Sequence, residues 1–246
     1  MASSGLKWSL GGLLVLLLAA GGEVLWIHHK NAEGDAPVKK VEYKSDPDDL
    51  VFVKSEHPMT FKDAKDLKGR TLWISAGGQM VYYPYNGHSI DFGHSVGMLL
   101  STEKVLVKDA VEQVAAKDRY NRIPPGDKQV FVIFTKPNDK DPAKEYAVPV
   151  GTKQGADYTF STDQIFFYDD PHVLFAHWGP EIWKAVDEHR AIVGMTEREA
   201  QTALGQVSDP HGDRIGERTV IYDNQDKPVR ITFSGSKATK IENVQP

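Results

Sequence analysis

The twelve residues Gly194–Gly205, GMTEREAQTALG, carry a helix start and a helix stop within one short run. Thr196 stands where an N-cap belongs and Glu199 follows three residues on. Hydroxyl and carboxylate can each satisfy a backbone N–H that the first turn leaves unpaired. Met195, just before the cap, can pack on Ala200 as a hydrophobic staple. Ala200, Ala203 and Leu204 fall on one face by helical spacing, and Gly205 supplies the positive-φ residue that ends the helix. A helix of about two turns is not stable alone, so its apolar stripe must be covered by other elements. The residues left for its outer side are Glu197, Arg198 and Gln201.

The covering elements follow in the chain. RTVIYD at Arg218–Asp223, KPVRITF at Lys227–Phe233 and KATKIE at Lys237–Glu242 read as three strands. NQD and the SGS turn around Gly235 join them as an antiparallel meander. Upstream, STDQ from Ser161, Asp170–Pro171 and Gly179–Pro180 are helix-start signatures. EIWKAVDEHRAI then places Ile182, Trp183 and Val186 on one side of an amphipathic helix of about three turns.

A helix, then Gly194-Met195-Thr196, a short helix closing on Leu204-Gly205, and a meander bearing Tyr222 and Phe233 resemble the SmpA/OmlA (BamE-like) module. The resemblance covers about residues 180–241. It implies a small α+β layer that binds and scaffolds other proteins, as in the machinery that assembles outer-membrane β-barrels, with no catalytic residue to carry over. This chain lacks the lipid-bearing cysteine of that machinery, and its proline after Leu-Gly is delayed to Pro210.

The region 48–160 is rich in short β-type runs: LVFV at Leu50–Val53, TLWIS at Thr71–Ser75, QMVYY at Gln79–Tyr83, KVLV at Lys104–Val107, QVFVIF at Gln129–Phe134 and EYAVPV at Glu145–Val150. AGG, PPG and PNDKDP separate some of them as turns. Within KDAVEQVAAKDRY, however, Val107, Val111, Val114 and Ala115 follow helical spacing and predict a helix. Residues 31–47, polar and of mixed charge, read as a linker.

Residues 1–30 contain an uncharged, Leu-rich run from Trp8 to Gly22, interrupted by Glu23 and resumed at Val24–Ile27. Trp8 to Ile27 is about the length that spans a bilayer. Read this way, the segment is an uncleaved signal-anchor, with the membrane as a partner and the body in the periplasm or outside. A shorter reading makes it a signal peptide cleaved near Ala19–Gly22, which leaves the body secreted to the periplasm.

With 40% apolar and 26% charged residues, 246 residues suit one or two globular domains. A net charge of −5 with scattered Lys and Arg argues against nucleic acid as a partner. The absence of cysteine removes disulfides, thiolate metal sites and cysteine nucleophiles.

Three constellations carry candidate chemistry. In NGHSIDFGHS, His88, Asp91 and His94 recur every third residue and supply two imidazoles and a carboxylate, a zinc-type donor set, although a polar hairpin loop accounts for the same residues. Tyr82, Tyr83 and Tyr85 could stack on peptides or sugars, although strand alternation would bury at least one of them. His172, His177, Trp178 and Glu181 pair imidazole with carboxylate, as general acid–base chemistry requires, but no positioned nucleophile accompanies them.

The fold expected is α+β: an N-terminal membrane helix, a β-rich middle domain over 48–160, and a C-terminal α-α-β-β-β module with a three-stranded antiparallel sheet within 161–246. The module's packing residues are Gly194, Met195, Thr196, Glu199, Leu204, Gly205, Tyr222 and Phe233. The function expected is cell-envelope protein–protein interaction or scaffolding, with no enzyme activity and no cofactor. Tyr82, Tyr83, Tyr85, Glu197, Arg198 and Gln201 are its partner-binding candidates, and the partner is another envelope protein. The alternatives are a cell-wall or polysaccharide-binding protein and a metal-dependent envelope hydrolase.

Overall fold

A computed structural model describes residues 21–30, 46–114, 127–212 and 214–244. The chain divides into two compact units, Met1–Asp46 and Pro47–Pro246. In the first, residues 21–30 form helix α1, with Val24, Leu25, Trp26 and Ile27 exposed and the Lys30 ammonium 4.8 Å from the Trp26 ring centre. This corrects the membrane-anchor expectation. Among the described residues no helix is long and apolar enough to cross a membrane. Ten residues rise about 15 Å against a hydrocarbon layer of about 30 Å, and Glu23, His28, His29 and Lys30 break the apolar character. The stretch Trp8–Ala20 lies outside the described residues, as do residues 31–45 of the expected linker.

The second unit is built on two antiparallel sheets. The first is curled into a half-barrel. Its strands are β1 (Thr71–Ile74), β2 (Val81–Pro84), β3 (Gly97–Met98), β4 (Lys104–Val114), β5 (Lys128–Thr135), β6 (Glu145–Gln154), β7 (Asp157–Phe160) and β8 (Phe166–Phe167). They run in the order β3-β2-β6-β5-β4-β1-β8, with β7 pairing β6 off that path. KQVFVIFT makes a central strand because it is apolar on both faces. Val130, Val132 and Phe134 enter the main core, while Phe131 and Ile133 enter a second cluster on the other face.

Two local expectations are corrected here. Lys104–Val114 is strand throughout, with a register shift between Val107 and Asp109. One extra residue at this bulge keeps Val105, Val107 and Ala110 in the main core and sends Val111 to the cluster on the other face, so the valines with helical spacing do not share a face. Residues 115–126, the rest of the expected helix, lie outside the described residues. Leu50–Val53 is no strand: a 3₁₀ turn at Pro47–Leu50 leads into irregular chain that continues to the short helix α2 (Phe61–Lys65).

Helix α3 (Thr162–Ile165) precedes β8, and after β8 come α4 (Pro171–Leu174), α5 (Gly179–Asp187) and α6 (Glu197–Leu204). The second sheet has four strands, β9 (Val207–His211), β10 (Thr219–Tyr222), β11 (Val229–Ser234) and β12 (Lys237–Asn243), in the order β12-β11-β10-β9. The expected three-stranded α-α-β-β-β layout is therefore corrected. VSDPH pairs with β10 as an outer strand despite Pro210, because an edge position tolerates a residue without an N–H. Trp183, Val186, Met195 and Leu204 pack over Val220, Tyr222, Ile231 and Phe233. Burying each of these large side chains is worth about 1.5–3 kcal/mol.

The capping box of α6 is complete. Glu199 N–H donates to Thr196 Oγ1 at 3.2 Å, and Thr196 N–H donates to Glu199 Oε2 at 2.6 Å. Gly194, with φ of 93°, turns the chain so that its N–H donates to Ala238 O, while Ala238 N–H donates to Met195 O.

Candidate functional site

A concavity lies where the irregular segment 51–59, the β1–β2 loop and α6 meet. Its position follows from two anchors. At one end of the segment, Asp48 is buried and its Oδ1 accepts from Trp178 Nε1 at 2.7 Å, with His177 Nε2 at 2.6 Å from the same atom. Its Oδ2 lies 3.7 Å from Arg198 Nε. At the other end, Asp163 accepts from Glu56 N–H at 3.1 Å, His57 N–H at 2.8 Å and Tyr168 Oη at 2.6 Å. Burial alone would raise the Asp163 carboxyl, but the Tyr168 and backbone donors outweigh it and hold its pKa below the usual aspartate value. Burial and the Asp163 contact push the Tyr168 phenol well up. Arg70 adds a 2.6 Å ion pair to Glu56.

Between these anchors the segment works as a strap. Leu50, Phe52 and Val53 are exposed, Phe52 to 94%. Val53 turns towards a groove of about 310 Å³ whose other apolar walls are Phe167 and Phe175. Ser75, Gly77 and Gln79 of the β1–β2 loop form one polar side, and Arg198, Gln201 and Thr202 of α6 form the other. At its base the helix terminus meets the loop backbone. A β-carbon on Gly205, where φ is 89°, would stand 2.7 Å from the Gly77 carbonyl oxygen. Only glycine permits that approach.

Of the sequence candidates, the structure brings Arg198 and Gln201 into this groove. Glu197, expected on the outer side, is instead buried. Its carboxylate accepts from Gly216 N–H at 3.0 Å and from the Arg218 guanidinium.

The tyrosines do not share a surface. Tyr82 is a core residue set edge-on to Tyr146, whereas Tyr83 and Tyr85 join the cluster on the opposite sheet face, where Tyr83 packs against Phe92. Burial raises the Tyr85 phenol.

The loop NGHSIDFGHS spends its apolar residues, Ile90 and Phe92, covering that same face. Asp91 and His94 pair at 2.9 Å, and the His94 contact holds the Asp91 carboxyl low. His88 is not gathered with them: no cluster of three or more His, Asp or Glu able to hold a metal occurs among the described residues. His172 stacks on Trp183 with ring centres 4.0 Å apart, and its Nε2 lies 3.0 Å from Asp187. Glu181 is exposed. His177 serves the strap anchor.

A second cavity, of about 340 Å³, is lined by Glu56, Asp63, Asp66 and Tyr168. Two of its carboxylates already have local duties. Glu56 pairs with Arg70, and Asp63 caps α2 through the N–H of Met59 and Thr60.

Sequence reading missed Asp48, Val53, Phe167, Phe175 and the β1–β2 loop as parts of one site. SDPDDL held a local hint, a turn start at Pro47, but not that Asp48 would meet residues 129 and 130 positions away. No family model, curated protein or solved structure matches this chain.

Proposed function

We propose that the protein binds another protein through the strap and groove and acts as an interaction or scaffolding module. The observation that carries this reading is the adjacency of Phe52, 94% exposed, to Val53, which lines the groove. A large aromatic side chain held in water beside a preformed concavity loses about 1.5–3 kcal/mol of available burial, which a partner would recover. The segment that carries it is pinned at both ends, so little ordering cost remains for binding. The resemblance to SmpA/OmlA modules supports the same class of function.

The test is site-specific photocrosslinking in the full chain. A photoreactive residue at position 52 or 201 should label one discrete partner, which, once purified, should bind with a Kd that Phe52→Ala weakens about tenfold or more. A probe at Lys240, exposed on β12, serves as the control. Equal labelling from all three positions would refute the assignment.

A further inference from the structure

We propose that the groove takes an extended segment of its partner in which a carboxylate side chain neighbours an apolar one. This deepens the protein-binding reading and rests on it. Among the described residues that line the groove, Arg198 is the single charged side chain. Its side chain is 51% exposed, and its ion pair with Asp48 is long at 3.7 Å. The Asp48 carboxylate already takes hydrogen bonds from Trp178 and His177. The guanidinium therefore retains donors in a fork that matches an incoming carboxylate.

The apolar half of the specificity comes from Val53, Phe167 and Phe175. A volume of about 310 Å³ sits at the low end for ligand sites, which suits one or two side chains better than a large cofactor. Gln201 and Thr202 stand beside Arg198 on the same wall and can bond to a main chain laid along it. A free small carboxylate would satisfy Arg198 but leave Phe52 and Leu50 in water. A polypeptide continuing past the groove covers them, which decides between the two occupants.

The experiment selects peptides from a random-sequence displayed library on the full chain. Affinities of labelled peptides are then measured by fluorescence polarisation against the parent, Arg198→Gln, Arg198→Lys and Phe52→Ala. Expected are peptides with Asp or Glu within two positions of a large apolar residue. Binding should weaken at least tenfold with Arg198→Gln, recover in part with Arg198→Lys, and fall with added salt. Amidating the peptide carboxylate should cost nothing further in Arg198→Gln. Thermal melting of each variant establishes that it is folded.

Selected peptides that depend on Phe52 but ignore Arg198→Gln and carry no acidic preference would overturn this proposal while leaving protein binding at the groove intact. Peptides indifferent to both positions, or no selected peptide at all, would overturn both.

Discussion

The indole N–H of Trp178 donates to Asp48 Oδ1 at 2.7 Å, which joins positions 130 residues apart at a buried point. The bond ties the start of the strap to the turn before α5. Replacing Asp48 with Ala leaves the indole donor without its acceptor and frees that end of the segment. We expect a loss of about 2–3 kcal/mol in urea unfolding, with Asp48→Asn losing about half as much because it keeps an acceptor oxygen. Tryptophan emission should shift to longer wavelength in Asp48→Ala alone; unchanged emission would mean that the strap is held elsewhere.

Gly205 and Gly194 have nearly equal positive φ, 89° and 93°, yet different surroundings. Nothing lies within 4 Å of a β-carbon on Gly194, whereas on Gly205 it would strike the Gly77 carbonyl. Gly194→Ala should therefore cost only its backbone strain, about 1–2 kcal/mol, and Gly205→Ala should cost clearly more, about 3 kcal/mol or above. Calorimetric melting of the two variants checks the order, and equal losses would mean that the Gly77 carbonyl gives way without cost.

Asp163 sets an acid limit on the other strap anchor. Its folded pKa lies below its unfolded value, so its contribution is fully present above about pH 4 and is lost as pH falls through the folded value. Asp163→Asn should lower stability at pH 7 and flatten the stability–pH curve below about pH 4. Parallel curves for variant and parent in that range would show that the carboxylate carries no such linkage.

The buried Glu197 pairs with the part-buried Arg218 at the start of α6, supported by the Gly216 N–H. Removing Arg218 leaves the buried Glu197 carboxylate without its main cation, and removing Glu197 takes an acceptor from the guanidinium and from the Gly216 N–H; each loss costs about 2–3 kcal/mol. Glu197→Ala and Arg218→Ala together should lose at least 1 kcal/mol less than the sum of the single losses. A double-mutant cycle in urea measures that coupling, and strict additivity would mean that the pair is energetically idle.

Local chemistry in the sequence was legible where a few neighbouring residues settle it. Thr196 and Glu199 specify their cap without help from elsewhere, and the SGS turn announces the β11–β12 hairpin. Legibility ended where one residue's role depends on distant chain. Val107 and Val111 are spaced as on one helical face, but the bulge between them sends them to opposite faces of a strand. Pro210 disguises β9, which is allowed only because it lies at an edge. Leu50–Val53 has strand composition, but Asp48 and Asp163 hold this part of the chain off both sheets. Tyr82 and Tyr83, adjacent in sequence, lie on opposite faces of one sheet, so their density in the sequence does not become a patch. The groove joins residues from four separate parts of the chain, and only its α6 wall, Arg198 and Gln201, was foreseeable.

The two hydrogen bonds between Gly194–Met195 and Ala238 bear on how molecules of this protein behave at high concentration. They occupy part of the outer rim of β12, and at the opposite rim Pro210 removes a donor from β9. Neither rim of the second sheet presents an unbroken ladder for another strand to extend. Addition of a strand from another copy at the β12 rim of this sheet would first require the turn before α6 to let go.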